Sequence, residues 1–254
     1  MIAYDVQGPV GAPVVVLGGS LGTTRAMWDE QLPALTRAFR VVRYDHRGHG
    51  ASPVPPGPYT IAGLTGDVLA LLDHLDIPRA HFGGLSLGGM IAMYLAATHP
   101  ERVDRLALIC TSAHLPPARA WLARAATVRN GGTRAVADTV VARWFTPAFA
   151  ATPRAAELRE QLIRSPAEGY AACCEAIATL DLRPLLARIR AYTLVIAGAE
   201  DPATPPVHAE VIGTGIPDAH LAVLRDAAHL ANVELADRVT AMLVEHWTAP
   251  PFVE

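Results

Sequence analysis

Lysine is absent: all 21 basic side chains are arginines. That excludes a Schiff-base lysine, a Ser–Lys catalytic pair and a phosphate-binding P-loop, each of which needs an ε-amine. Cysteine is scarce. Cys110, Cys173 and Cys174 are an odd number, and two of them are sequence neighbours. Adjacent cysteines close only a strained ring, so no disulfide framework is expected and a reducing cytoplasm is. A net charge of −3 supplies no basic field for nucleic acid or an anionic membrane. No apolar run approaches the roughly 20 residues of a membrane span. The opening MIAYDVQG lacks the basic and apolar regions of a secretion signal. No G-x-G-x-x-G follows a strand-like run, so no dinucleotide site is expected. His46-x-x-His49 has no Cys or Glu at ligand spacing, so DHRGHGAS reads as a structural turn tied by Asp45 and Arg47 rather than a metal site.

What is present suits one α/β domain with an insertion: 254 residues, 51% of them hydrophobic and 18% charged. Val14–Leu17, Arg40–Tyr44, Ala80–Gly83, Leu106–Cys110, Tyr192–Ala197 and Leu221–Leu224 read as short strands. Trp28, Leu32 and Leu35 recur at helical spacing. After Thr60, an N-cap residue, Ile61, Leu64, Val68, Leu71, Leu72 and Leu75 form a helical stripe that ends before Pro78. A helix is predicted over 87–98, closed by Pro100, and a last one through Val233, Val239, Met242, Leu243 and Trp247. Strands alternating with helices predict a mostly parallel central sheet flanked by helices. Residues 114–186 break that rhythm. They are rich in Ala and Arg, helical by propensity and without a convincing strand, and so read as a helical cap inserted between core segments 1–113 and 187–254.

Four glycines crowd Ser86 in FGGLSLGGM, although glycine inside a helix or strand costs roughly 0.5–1 kcal/mol. Gly84-Leu85-Ser86-Leu87-Gly88 is a G-x-S-x-G placed where a strand stops and a helix starts. That is the signature of a nucleophile elbow, in which a serine protrudes from a sharp turn beside the free N–H groups of a helix N-terminus. A serine needs a base, and the base needs an orienting acid. In the fold that uses this elbow they follow in the order Ser, acid, His. Asp201, in the loop after the strand of VIAGAEDPATPP, is the expected acid, with Glu200 as its alternative. His229, in LRDAAHLANVE, is the expected base. The oxyanion hole requires two backbone donors. Leu87 N–H is expected as one, and Ser20 N–H, in the Gly-Gly loop of VVLGGSLGTT, as the other. Cys110 and the Cys173-Cys174 pair read as packing residues.

These motifs resemble the α/β-hydrolase superfamily, and the whole chain resembles the 3-oxoadipate enol-lactonase family. The resemblance rests on LGGSLGTTRAMWDEQLPAL, VVRYDHRGHGAS, RWFTPAF, GYAACCEAIATLDLRPLLARI and DAAHLANVE; Gly18-Gly19 departs from the Ser-Asn more often found there. It implies a cytoplasmic serine hydrolase of a small carboxylated lactone or ester, working through an acyl-enzyme and needing no cofactor. It also implies that Trp121 and Arg124 on one helix face, and Arg143 with Trp144, meet the substrate in the cap. A homo-oligomer is compatible with these features. The rival readings are a broader carboxylesterase or lactonase, a cofactor-free perhydrolase, and a hydrolase-like receptor for a small molecule. Dehalogenases and epoxide hydrolases attack with aspartate, and Ser86 argues against them.

Overall fold

The computed structural model describes residues 1–249. In chain order its strands and helices are β1 (Tyr4–Gln7), β2 (Val14–Gly18), the one-turn α1 (Leu32–Leu35), β3 (Arg40–Tyr44), α2 (Ile61–His74), β4 (Ala80–Leu85), α3 (Leu87–Thr98) and β5 (Val103–Ile109). There follow α4 (Ala118–Gly131), α5 (Ala137–Trp144), the one-turn α6 (Pro147–Ala150), α7 (Pro153–Arg164), α8 (Ala167–Ala178), β6 (Tyr192–Gly198), α9 (Pro206–Gly215), β7 (Ala219–Leu224), the one-turn α10 (Ala231–Glu234) and α11 (Ala236–Thr248). The strands form one sheet in the order β1-β3-β2-β4-β5-β6-β7. Only the β1–β3 pair is antiparallel. The central strands β4 and β5 are buried almost throughout, as expected where helices cover both faces.

The six expected strands are all present. β1 escapes the sequence reading because it is a four-residue, half-buried edge strand with no apolar run of its own. Thr60 caps α2 through Oγ1, which accepts from Gly63 N at 3.0 Å. Leu235, with φ −117 and ψ 51, separates Val233 in α10 from α11, so the expected single last helix is two. The Trp28–Leu35 stripe is likewise a 3₁₀ turn over Arg25–Trp28 followed by α1. Cys110 lies one residue beyond β5, at φ 43, and is buried.

Five helices, α4 to α8, lie between β5 and β6. An isolated antiparallel bridge between His114 and Asp181 ties the two ends of that segment together. α4 and α8 pack closely on each other. α8 is buried on nearly all sides, Cys173 and Cys174 included.

Candidate active site

Ser86 joins β4 directly to α3 with φ 54 and ψ −113, a left-handed backbone that L-residues rarely adopt. The strain is held from three sides. Ser86 N donates to Ile109 O at 3.0 Å, and Ser86 O accepts from Thr111 Oγ1 at 2.7 Å and from Met90 N at 3.0 Å. Two flanking glycines are required for packing. A Cβ on Gly84 would lie 2.4 Å from the Gly88 backbone, and one on Gly88 would lie 2.3 Å from Gly18 O. The start of α3 is thereby seated against the end of β2, and Gly88 N donates to Gly19 O at 2.9 Å.

The loops after β6 and β7 bring Asp201 and His229 together. His229 Nδ1 donates to Asp201 Oδ2 at 2.8 Å, and both residues are buried. Glu200, the alternative acid, is exposed. Asp201 Oδ1 accepts from Ala203 N at 2.7 Å and Thr204 N at 3.0 Å, while the Thr204 hydroxyl donates to Oδ2 at 2.7 Å. Burial alone would raise the Asp201 carboxyl. The His229 charge and hydrogen bond, with the Thr204 hydroxyl and amide, outweigh it and hold the group below its ordinary range. The carboxylate is therefore ionised and acceptor-only, which fixes the histidine proton on Nδ1 and leaves Nε2 as the free basic atom.

Ser86, His229 and Thr204 line one cavity. Among the described residues Ser86 Oγ makes no hydrogen bond, so the serine and histidine share the cavity without being bonded.

Ser20 also lines the cavity, but its N–H donates to Met27 Sδ at 3.2 Å. A thioether is a weak acceptor, so this amide is only weakly engaged within the fold. Two histidines fix the surrounding loop. His46 Nε2 donates to Gly19 O at 2.8 Å, and Gly22 N donates to His49 Nε2 at 3.0 Å. This is the structural role of the His-x-x-His spacing. Asp45 and Arg47 tie the turn as expected, though to different partners: Asp45 pairs with Arg25 and accepts from Ala51 N at 3.0 Å, and Arg47 Nε donates to Asp67 in α2 at 2.7 Å. Among the described residues no cluster of three His, Cys, Asp or Glu side chains is placed to hold a metal.

Trp121, Arg124, Arg143 and Trp144 all line the same cavity, from α4 and α5. The Arg124 guanidinium stacks over the Trp121 ring at 4.6 Å, and Trp121 Nε1 donates to Leu115 O at 3.0 Å. Sequence reasoning missed two polar cavity residues. Thr204 stands three positions after Asp201, within reach for a side-chain bond across a loop. Tyr170 carries no such signal, because the sequence of α8 does not tell which of its buried faces meets the cavity.

Comparison with known proteins agrees with this geometry. The family model for the alpha/beta hydrolase fold matches residues 12–235. 3-oxoadipate enol-lactonase 2 of Acinetobacter baylyi is 44% identical, over 91% of this chain and 87% of that protein. A putative carbamate hydrolase RutD of Pseudomonas syringae is 32% identical, over 87% of this chain and 88% of that one. The crystal structure of the enol-lactonase from Burkholderia xenovorans LB400 superposes with a TM-score of 0.95 at 43% identity, covering 97% of this chain and 96% of that one. The chain belongs to the alpha/beta hydrolase fold family and is similar over most of its length to the 3-oxoadipate enol-lactonases within it.

Proposed function

We propose that the chain is a serine hydrolase that opens a small carboxylated enol-lactone, 3-oxoadipate enol-lactone, through an acyl-enzyme. The observation that carries this reading is the buried 2.8 Å bond between His229 and Asp201, in a cavity shared with an elbow serine. Ser86 Oγ attacks the lactone carbonyl and gives its proton to His229 Nε2. The carbonyl oxygen becomes an oxyanion, met by the N–H groups of Leu87 and Ser20. Collapse breaks the ring C–O bond. The enolate leaves, takes the proton held on His229 Nε2 and becomes a ketone, while the acyl group stays on Ser86. Water then gives a proton to Nε2 and attacks the ester carbonyl, and Ser86 departs with that proton, releasing 3-oxoadipate. Asp201 stabilises the charged imidazole and fixes its tautomer without itself taking the proton. No step calls for a cofactor.

The segment 114–186 acts as the cap over this site, and Trp121, Arg124, Arg143 and Trp144 bind the substrate from it. A second reading, a hydrolase of carbamates or of a broader set of esters, is favoured by the RutD relatives at 32% identity. The enol-lactone, generated in situ, tested beside a carbamate and a panel of neutral esters separates the two by kcat/KM. Ser86→Ala is expected to lower kcat by roughly 10⁴–10⁶. A variant that keeps a tenth of the activity would remove Ser86 from the mechanism.

A further inference from the structure

Several buried polar atoms have no protein hydrogen-bond partner, among them Trp28 Nε1, Trp247 Nε1 and Tyr170 Oη. Among the described residues, Tyr170 is the one of these that also lines the cavity of Ser86 and His229. A buried hydroxyl without a partner is a burden that phenylalanine at the same place would not carry. The side chain is fully buried on α8, and its ring packs so closely on the loop after β2 that a Cβ on Gly22 would lie 3.0 Å from Cε2. The ring is therefore held in one place, as part of the cavity wall.

Arg124 reaches the same place from α4, the helix against which α8 packs. Its guanidinium is held over Trp121 and bears on the Tyr170 phenol through its charge and a side-chain hydrogen bond whose donor geometry is poor. Among the described residues Arg124 has no carboxylate partner. Burial is the larger influence on the phenol and pushes it up, so Tyr170 remains a neutral O–H donor.

We propose that Tyr170 Oη and the Arg124 guanidinium form a single carboxylate seat in the cavity wall, and that Tyr170 is a specificity-determining residue for acid substrates. A carboxylate offers about four acceptor positions. A guanidinium fork takes two of them, and a phenol O–H is suited to a third. The corresponding ester or amide keeps the shape and loses the charge, so it gains little from this pair. The proposal rests on reading the cavity as the site of a carboxylate-bearing lactone.

Adipate, a dicarboxylate without a scissile bond, tests the seat apart from turnover. Its dissociation constant is measured by calorimetry on the wild type and Tyr170→Phe, with thermal unfolding and kcat/KM for the enol-lactone and for 4-nitrophenyl acetate. Loss of one hydrogen bond to a charged group is expected to weaken adipate binding about tenfold. The ratio of enol-lactone to 4-nitrophenyl acetate kcat/KM falls by a similar factor, through KM, while the melting temperature holds or rises. In an Arg124→Met background Tyr170→Phe costs nothing further, because both groups serve one carboxylate. A folded Tyr170→Phe that binds adipate as the wild type does overturns the seat. So does a wild type that fails to bind adipate at millimolar concentration, full additivity with Arg124→Met, or a lowered melting temperature, which marks a structural hydroxyl. If the wild type leaves the enol-lactone intact while Tyr170→Phe still loses adipate binding, the seat stands and the substrate reading above falls.

Discussion

Arg124 and Arg143 illustrate how a single residue's role depends on what fixes it. Both line the cavity. Only Arg124 has its guanidinium plane set by an aromatic face, at 4.6 Å over Trp121, in the range where the ring quadrupole attracts a cation. A guanidinium already oriented loses less freedom when it takes up a carboxylate. Arg124→Met is therefore expected to lower kcat/KM for the enol-lactone by about 2–4 kcal/mol more than for a neutral ester, the scale for truncating one partner of a desolvated charge pair. Equal losses on the two substrates would make Arg124 a structural residue of the cap. No loss on either would pass the carboxylate to Arg143. Much at this scale was legible beforehand. The placement of Ser86, Asp201 and His229 at strand ends was recoverable from the motifs and their order, and the shared face of Trp121 and Arg124 from their spacing, because residues three apart lie on one side of a helix. Thr204 and Tyr170 were not, since their parts depend on which side chains the tertiary structure turns toward the cavity.

At the scale of elements, the elbow shows why strand, turn and helix must be read together. Two of the glycines around Ser86 answer to backbone atoms of other elements: Gly84 faces the Gly88 backbone in α3, and Gly88 faces Gly18 O at the end of β2. Gly88→Ala puts a methyl 2.3 Å from that oxygen and must push α3 away from β2, carrying Ser86 and the Leu87 amide with it. Overpacking of this kind costs about 1–3 kcal/mol, which corresponds to a fall in melting temperature of roughly 2–12 °C for a chain of this size. Thermal unfolding together with kcat on any accepted ester checks the claim. A variant of normal stability and normal kcat would show that the close approach is not needed. The elements hardest to foresee were those whose form is set by neighbours. β1 exists because β3 offers it a free edge. The break at Leu235 has no proline or glycine to announce it. Helix α9 begins in the Pro-rich loop that also carries Asp201, where the sequence suggests only a turn.

Across the whole molecule, buried histidines set the response to acid. Burial lowers His46; at His49, burial and the neighbouring His46 charge bring the ring to about 3. At His246, burial and then the Arg105 charge bring it to about 4. His49 has a further reason to stay neutral, since its Nε2 accepts the Gly22 N–H. In the unfolded chain these rings take protons near the ordinary value of about 6.5. Below that pH the unfolded state binds protons that the native state refuses, so stability falls as the pH falls, by about 1.4 kcal/mol per pH unit for each such ring until its native value is reached. Asp201 acts in a lower window: its depressed native value gives stability that is present above about pH 4, the ordinary unfolded range, and is lost only below it. Between pH 6 and 4.5 the slope therefore belongs largely to the histidines. His246 is the one to remove. Its Nε2 is buried without a protein partner, and its ring stacks on Tyr192 at 5.2 Å, a contact phenylalanine can keep. His246→Phe is expected to lose about 2 kcal/mol less than the wild type over those 1.5 pH units or so, measured by urea unfolding at pH 6 and pH 4.5. An identical loss in both proteins would mean that His246 takes its proton in the folded state, and that the acid sensitivity of the fold lies with the other histidines that burial lowers, His46, His49, His81 and His208.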